Sequence, residues 1–323
     1  MKSMETVVVV IPVTEEDKIK FQEAAPLGTR FLYTSPAQVT DAQLKGADIL
    51  IGNVPPARLA AAKNLKWMQL NSAGTDGYTT PGVLPEECVL TNATGAYGLA
   101  LAEHLLAMLL CQIKKLPMYL KDQEAHIWGD NGNVISIYGS TTLVVGLGDI
   151  GSEFAMRMHA LGSRVIAIRR NKTEKPAYVD ALYQMDALKD LLPQADFVAT
   201  MLPGTPQTYH IFDADAFARM KPGAIFLNIG RGNAADSEAL TAALNSGHLG
   251  GACLDVTEPE PLPMDHPLWN AKNVMITPHI SGMYHLPETL RRIVGIATEN
   301  MKAYYAHTTM RSVVDFETGY RKL

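Results

Sequence analysis

Short apolar runs alternate with helical patterns along the chain, and this alternation predicts parallel sheets that are covered by helices on both faces. In the first third, the expected strands are Val7–Ile11, Arg30–Tyr33, Asp48–Ile51, Leu65–Leu70 and Cys88–Leu90. Helical patterns lie between them, such as Glu15–Ala24 and Pro56–Ala62. This part of the chain is therefore predicted to form a small α/β unit.

A longer helical pattern, Tyr97 to Leu116, has a broad apolar face and leads into a second unit. The strands expected there are Thr141–Val145, Arg164–Ile168, Phe197–Met201, Ala224–Asn228, Gly250–Leu254 and Val274–Ile276. This set of strands is the one expected of a full doubly wound dinucleotide-binding sheet.

The last helical segment, Pro287 to Ala306, is followed by no strand that could extend the second sheet. We therefore expect the chain to return to the first unit. The predicted substrate domain is discontinuous, with residues 1–98 and 283–323, and the dinucleotide-binding domain covers residues 99–282. Two crossings make a hinge, and the cleft between the lobes is the expected active site.

Composition narrows the class of protein. With 323 residues, 47% hydrophobic and 19% charged, the chain is typical of a globular protein of two domains. Its net charge of −5 argues against nucleic acid or an anionic membrane as a partner. The three cysteines lack metal-ligand spacing, so we expect reduced thiols, no metal site and a cytoplasmic location.

The strongest chemical signal is a G-x-G-x-x-G loop between the strand Thr141–Val145 and a helical pattern that begins at Ser152. The expected cofactor contacts of this loop are Gly146, Gly148, Asp149, Ile150 and Gly151. The first glycine permits a tight turn, the second lets a pyrophosphate approach the backbone, and the third lets the helix pack on the strand. The N terminus of the helix then faces the phosphates, which predicts a Rossmann dinucleotide site.

The choice of nicotinamide cofactor depends on the residues at the carboxyl end of the next predicted strand, Arg164–Ile168. An NAD site usually carries an acidic residue there, whereas this strand ends in Arg169, Arg170 and Asn171. Guanidinium groups bind a 2′-phosphate through charge-assisted hydrogen bonds. We therefore favour NADP over NAD, with use of both as an alternative. In another interpretation the arginines only form a solvated strand end.

Arg231, Glu260 and His279 follow three later strands of the predicted sheet. Loops after parallel strands gather at the carboxyl edge, where the nicotinamide lies, so these residues are expected to converge. Reduction of a 2-oxo acid needs a cation for the carboxylate and a proton donor for the carbonyl oxygen. Arginine suits the first role and histidine the second, with glutamate orienting the ring. Each residue alone could instead form a surface ion pair, a solvated side chain or a structural contact.

These motifs resemble the D-isomer-specific 2-hydroxyacid dehydrogenase family, in particular its glyoxylate/hydroxypyruvate reductases. The motifs that carry the resemblance are Gly146–Gly151, Leu202–Thr208, Asn228–Gly232, Leu254–Pro263 and Thr277–Gly282. The resemblance implies a doubly wound Rossmann domain with a smaller flavodoxin-like α/β substrate domain. It also implies a homodimer formed through the cofactor domains. Because the chain stops at Leu323, we do not expect the extra regulatory domain that many phosphoglycerate dehydrogenases of this family carry.

The resemblance assigns catalytic roles to Arg231, Glu260 and His279, and it implies that Asp255 holds the nicotinamide carboxamide. The other cofactor contacts that it implies are Leu202, Pro203, Thr208, Ile229, Gly230, Ser281 and Gly282. Backbone amides of Ala73 and Gly74 are expected to bind the substrate carboxylate as an anion nest, although an ordinary turn is the alternative. The family's formate-oxidising branch is expected to carry glutamine at position 260, so glutamate there argues against formate.

The sequence as a whole predicts an NAD(P)-dependent oxidoreductase that interconverts a small 2-oxo acid and the D-2-hydroxy acid. Glyoxylate and hydroxypyruvate are the first expected substrates. The residues expected to shape the pocket are Tyr97, Trp128, Met283, Tyr284 and His285. Two alternatives remain open, a dinucleotide-sensing protein similar to a corepressor and a dehydrogenase for another acid such as phosphite.

Overall fold

A computed structural model describes residues 4–171 and 173–321, and in them short parallel strands alternate with helices. The chain divides into two compact units. The first contains residues 1–97 and 286–323, and the second contains residues 98–285. No helix in the described part of the chain is long and apolar enough to cross a membrane.

In the described residues the strands have two to five residues each, and the α-helices have four to nineteen. The strands are β1 (Thr6–Val9), β2 (Arg30–Tyr33), β3 (Ile49–Ile51), β4 (Trp67–Gln69), β5 (Val89–Thr91), β6 (Thr141–Val145), β7 (Arg164–Ile168), β8 (Ala181–Tyr183), β9 (Phe197–Thr200), β10 (Ile225–Asn228), β11 (Gly251–Leu254), β12 (Val274–Ile276), β13 (Val314–Asp315) and β14 (Tyr320–Arg321). The helices are α1 (Glu15–Ala24), α2 (Asp41–Lys45), α3 (Gly98–Ile113), α4 (Leu116–Glu124), α5 (Asp149–Ala160), α6 (Leu188–Leu191), α7 (Ala214–Arg219), α8 (Ser237–Asn245) and α9 (Pro287–Tyr305).

The first unit is a parallel sheet in the order β2-β1-β3-β4-β5, which is the flavodoxin-like order. Its strands are almost wholly apolar because both faces are covered. The last helix, α9, belongs to this unit and is fixed by a buried polar network. The Asn300 side-chain amide donates a hydrogen bond of 2.8 Å to Gln69 Oε1. Its Oδ1 accepts a hydrogen bond of 2.6 Å from the backbone N–H of Arg311. These bonds satisfy polar groups that would be costly to bury unpaired.

The second unit is a seven-stranded parallel sheet in the order β12-β11-β10-β9-β6-β7-β8, which is a doubly wound order. One hydrophobic cluster of its core is built from Val, Ile, Leu and Phe side chains of the strands together with residues of α6, α7 and α8. Strand β8 was not predicted, since it has three residues at the sheet edge and only partial burial. A strand with so little apolar sequence gives no periodic signal.

The predicted helix from Tyr97 to Leu116 corresponds to α3, which begins at Gly98 and ends at Ile113, and the separate helix α4 was not predicted. The chain leaves α3 after Ile113, and Lys115 adopts a left-handed conformation with φ of 57°. Pro117, in the first turn of α4, explains the break, because proline has no N–H and clashes with a preceding helical turn. The segment Pro56–Ala61 is a 3₁₀ helix rather than an α-helix, and α5 begins at Asp149, three residues before the predicted start at Ser152.

Candidate active site

The glycine-rich loop lies between β6 and α5, at the point where the strand order reverses. Gly146 has a φ of 104°, which favours glycine, and its N–H donates 3.0 Å to the Ile168 carbonyl. A Cβ on Gly151 would stand 2.2 Å from the Gly146 carbonyl oxygen, so this position admits no side chain. A Cβ on Gly148 would meet nothing within 4 Å. Packing therefore explains Gly146 and Gly151, whereas open space is left at Gly148.

The free space at Gly148 fits a dinucleotide pyrophosphate. No side-chain hydrogen bond caps the N terminus of α5 among the described residues, and the twelve-residue helix directs its positive end to this space. Backbone amides at a helix N terminus bind phosphate groups. The residues present thus suit the dinucleotide that the loop motif predicts.

The tip of β7 lies beside this loop and is basic. The Ile168 carbonyl accepts hydrogen bonds from both Gly146 and Leu147, and Arg169 is the next residue along the strand. Arg169 Nη1 donates 3.3 Å to Thr173 Oγ1, and Arg170 is exposed. The next residue, Asn171, is also exposed. Residues 169–171, which form this tip, are two arginines and an asparagine, so its charge favours an anionic group.

Loops after three adjacent strands bring the predicted polar residues to one edge of the sheet. Arg231 follows β10, Glu260 follows β11, and His279 follows β12. The Nδ1 of His279 lies 2.5 Å from Oε1 of Glu260, and both side chains keep about two-fifths of their surface exposed (43% and 41%). The structure therefore pairs the predicted acid–base residues in a position that solvent or substrate can reach.

The loop of Arg231 packs closely on its neighbours. Its Nη1 donates 3.0 Å to the Gly230 carbonyl, and its own carbonyl accepts from the Asn228 side chain. A Cβ on Gly230 would lie 2.4 Å from the Leu202 carbonyl oxygen, and one on Gly232 would lie 1.8 Å from that of Thr257. Glycines on both sides thus let the arginine loop fit between the loops that follow β9 and β11.

Asp255 is 1% exposed and organises the loop that carries His279. Its carboxylate accepts a hydrogen bond of 2.6 Å from the Thr277 hydroxyl and one of 3.1 Å from the Ile280 N–H. It also accepts hydrogen bonds from the N–H and the hydroxyl of Ser281. Its carbonyl accepts 2.8 Å from the His279 N–H. His279 has a φ of 51°, a strained conformation that persists only when its surroundings fix it. The aspartate supplies that fixation. Its predicted contact with the carboxamide stays a prediction.

Sequence reasoning missed His104 on α3. Its Nε2 lies 3.0 Å from Thr277 Oγ1 and 3.8 Å from Asp255. The single hydroxyl proton of Thr277 is used in the hydrogen bond to Asp255. The His104 imidazole therefore donates its Nε2–H to the Thr277 hydroxyl oxygen. Only tertiary packing joins α3 to this loop, and a histidine on an apolar helix face gives no such signal in the sequence.

The remaining predicted contacts lie on the same edge loops. The Thr208 hydroxyl donates a hydrogen bond of 2.5 Å to the carbonyl of Pro203. Pro203 follows the buried Leu202. Ile229 is buried beyond β10, and Gly282 follows Ser281 in the β12 loop. Their contacts with a cofactor stay predictions.

In the first unit, Ala73 and Gly74 lie in the loop after β4. The Asn92 amide donates 2.8 Å to the Ala73 carbonyl, and the Ser72 hydroxyl donates 2.7 Å to that of Gly74. The backbone of this loop is thus held in one orientation, and its role in carboxylate binding stays a prediction.

The residues predicted to shape the pocket differ widely in burial. Tyr97 is buried and donates its hydroxyl proton to the Asn71 carbonyl. Trp128 is fully exposed, and Met283, Tyr284 and His285 are also exposed.

Comparison with known proteins identifies the family. Residues 106–281, more than half of the chain, match the D-isomer specific 2-hydroxyacid dehydrogenase, NAD binding domain. The chain belongs to this family. It is 32% identical to glyoxylate/hydroxypyruvate reductase B of Shigella dysenteriae over 77% of this chain and 78% of the relative.

Solved structures of the family extend the match over both units. A D-isomer specific 2-hydroxyacid dehydrogenase family protein from Aeromonas salmonicida has a TM-score of 0.85 and 33% identity, and the match covers 97% of this chain and 100% of that one. The NADPH-dependent glyoxylate/hydroxypyruvate reductase of Sinorhizobium meliloti, solved with NADP and sulfate, has a TM-score of 0.80 and 26% identity, with 98% and 100% covered. This 2-hydroxyacid dehydrogenase is therefore an NAD(P)-dependent oxidoreductase.

The glycine loop provides a matched pair of substitutions. Gly148→Ala should leave the fold intact but weaken NADPH binding by about tenfold or more, because its Cβ would enter the space that fits a phosphate. Gly151→Ala should destabilise the protein by about 3 kcal/mol or more, because its Cβ overlaps the Gly146 carbonyl. Urea unfolding and fluorescence titration with NADPH measure the two effects. Unchanged NADPH affinity in Gly148→Ala would contradict the assignment of the phosphate site.

Proposed function

We propose that this enzyme reduces a small 2-oxo acid to the D-2-hydroxy acid, with His279 as proton donor, Glu260 as its partner and Arg231 as the carboxylate-binding cation. The observation that carries the proposal is the 2.5 Å contact between His279 Nδ1 and Glu260 Oε1 at the carboxyl edge of a dinucleotide-binding sheet. A proton relay requires contacts of this length.

The histidine–glutamate contact determines which nitrogen does the chemistry. A carboxylate only accepts hydrogen bonds, so Nδ1 carries a proton and donates a hydrogen bond to Glu260. Nε2 is then the nitrogen that faces the substrate. In the imidazolium form it donates its proton to the carbonyl oxygen, and the carboxylate of Glu260 stabilises the positive charge. Bound dihydronicotinamide supplies the hydride to the carbonyl carbon. Oxidation of the alcohol reverses the role of His279.

Substrate recognition requires a cation and hydrogen-bond donors for the carboxylate. The planar guanidinium of Arg231 can bind two oxygens at once. We assign the second set of donors to the amides of Ala73 and Gly74. Glyoxylate and hydroxypyruvate are the proposed substrates, which the names of the Shigella and Sinorhizobium relatives support.

NADP is the proposed cofactor. Its 2′-phosphate would lie at the basic tip of β7, where Arg169 and Arg170 follow directly on the residue that bonds the glycine loop. The names of two structural neighbours, from Sinorhizobium meliloti and Xanthobacter autotrophicus, include NADP or NADPH, which supports this assignment.

A homodimer formed through the second unit is also proposed. Large apolar side chains are exposed on and after α4: Leu116, Met118, Leu120, Ile127, Trp128, Val134, Ile135 and Tyr138. A segment with so many exposed apolar side chains is typical of one that another protein covers, and a second copy would bury it. The three cysteines are free of disulfides, which supports the proposed cytoplasmic location.

The assignment of the proton donor is tested by His279→Ala. Turnover of glyoxylate with NADPH should fall about 10²- to 10⁴-fold, because general acid catalysis is lost. The affinity for NADPH should change less than about threefold, since binding and proton transfer use different groups. Stopped-flow absorbance and fluorescence titration give the two values. His159→Ala, at an exposed position of α5, is the control, and near-normal turnover in His279→Ala would exclude the histidine from the mechanism.

The cofactor assignment is tested by the double substitution of Arg169 and Arg170 to Ala. KM for NADPH should rise about 10- to 100-fold because two charge-assisted contacts with the 2′-phosphate are lost, while KM for NADH stays within about threefold. Arg164→Ala, at the exposed start of β7, is the matched control. An equal effect on both cofactors would argue against a 2′-phosphate site.

The dimer is tested by light scattering. The wild-type protein should have twice the chain mass of 35.1 kDa, and the double variant Leu120→Asp with Trp128→Asp should be monomeric, because two buried carboxylates oppose association. Met264→Asp, at an exposed position of the same unit outside residues 116–138, should remain dimeric. A monomeric wild-type protein would disprove the proposal.

A further inference from the structure

A second histidine–glutamate pair lies next to the first. The Nε2 of His210 is 2.5 Å from Oε2 of Glu258, which is two residues before Glu260. Since a carboxylate only accepts, the His210 imidazole donates this hydrogen bond. The loop after β11 thus presents one glutamate to a histidine of the β9 loop and the next glutamate to a histidine of the β12 loop.

The topology shows what this second pair encloses. The sheet order is β9, β10, β11, so a side-chain bond between the loops after β9 and β11 spans the loop after β10. That intervening loop carries Arg231. Its next residue, Gly232, packs on Thr257 and Glu258 so closely that a Cβ would lie 2.9 Å from the Glu258 nitrogen. On the other side, the His210 N–H donates 2.8 Å to the Asn233 carbonyl.

The His210 ring is held firmly for this contact. Its backbone adopts a φ of 47°, which is unusual for a residue with a side chain and persists where contacts determine it. Its ring stacks on Tyr209 with centroids 4.0 Å apart and planes 11° apart. His279 shares both features that matter here, a left-handed backbone and a glutamate partner.

We propose that His210 and Glu258 form a clasp that positions Arg231 for the substrate carboxylate. The clasp, defined as the His210–Glu258 hydrogen bond with the His210–Asn233 backbone bond, fixes residues 230–233 from both sides. The pair is a positioning pair because it acts through the arginine loop. The inference rests on the proposed role of Arg231 in substrate binding.

The clasp has a defined kinetic consequence. A loosened arginine loop holds the substrate carboxylate less well, so KM for the 2-oxo acid rises. The glycine loop and the tip of β7 lie on other strands and keep their expected contacts with the cofactor phosphates, so NADPH affinity should fall less than the affinity for the 2-oxo acid. Glutamine at position 258 can still accept from the imidazole, so Glu258→Gln should retain the clasp.

The test compares His210→Ala, Glu258→Ala, their double variant and Glu258→Gln. Each alanine variant should raise KM for glyoxylate about tenfold, which is the size expected for the loss of one hydrogen bond, with NADPH affinity within about threefold. The double variant should resemble either single one, because both substitutions break the same bond. Glu258→Gln should stay near the wild-type KM. His248→Ala, which removes a 3.1 Å bond to the Phe217 carbonyl, is the control histidine.

Hydrogen exchange of the apo protein separates this inference from the proposed function. Amides of residues 229–236 should exchange faster in His210→Ala and Glu258→Ala than in the wild type or His248→Ala, whatever the substrate. Additive effects in the double variant, or wild-type exchange in both alanine variants, would overturn the clasp. If the wild-type protein turned over no 2-oxo acid, the proposed function would fail, and the exchange rates would still decide whether the clasp holds the loop.

Discussion

The hydrogen-bonded register of β9, β10, β11 and β12 is the constraint on which the site depends. Parallel pairing places the carboxyl ends of these strands in one row, in the pairs Thr200 with Asn228 and Asn228 with Leu254. Each loop that leaves the row therefore begins beside its neighbour. Residues that are distant in the chain are thereby brought close together, and the 2.5 Å contact between His279 and Glu260 depends on this arrangement.

The buried carboxylate of Asp255 holds the loop after β12 against the sheet. Asp255 has almost no contact with solvent, yet both of its oxygens accept several hydrogen bonds from the β12 loop. An unpaired charge there would be costly, whereas a fully bonded one ties the loop to the sheet. The left-handed conformation of His279 is maintained by these bonds. The stability of the loop and the orientation of the imidazole thus have one source.

Glycines serve the site in two different ways. Gly151, Gly230 and Gly232 lie where backbone segments meet, and a side chain at any of them would overlap a carbonyl oxygen. Gly148 lies beside open space, which suits a ligand rather than the fold. The family match supports a dinucleotide in that space. The arrangement separates residues that the protein needs for packing from one that the cofactor needs.

The sequence determined the fold class, the positions of most strands along the chain and the residues on the edge loops, because apolar periodicity, glycine spacing and parallel connection are local or topological signals. It did not show β8, α4 or the contacts of His104 and His210. A three-residue edge strand has too few apolar residues for a pattern, and a histidine is neutral evidence until its partner is known. Tertiary structure decided those pairings, since packing between elements distant in the chain determines which side chains come within hydrogen-bond distance.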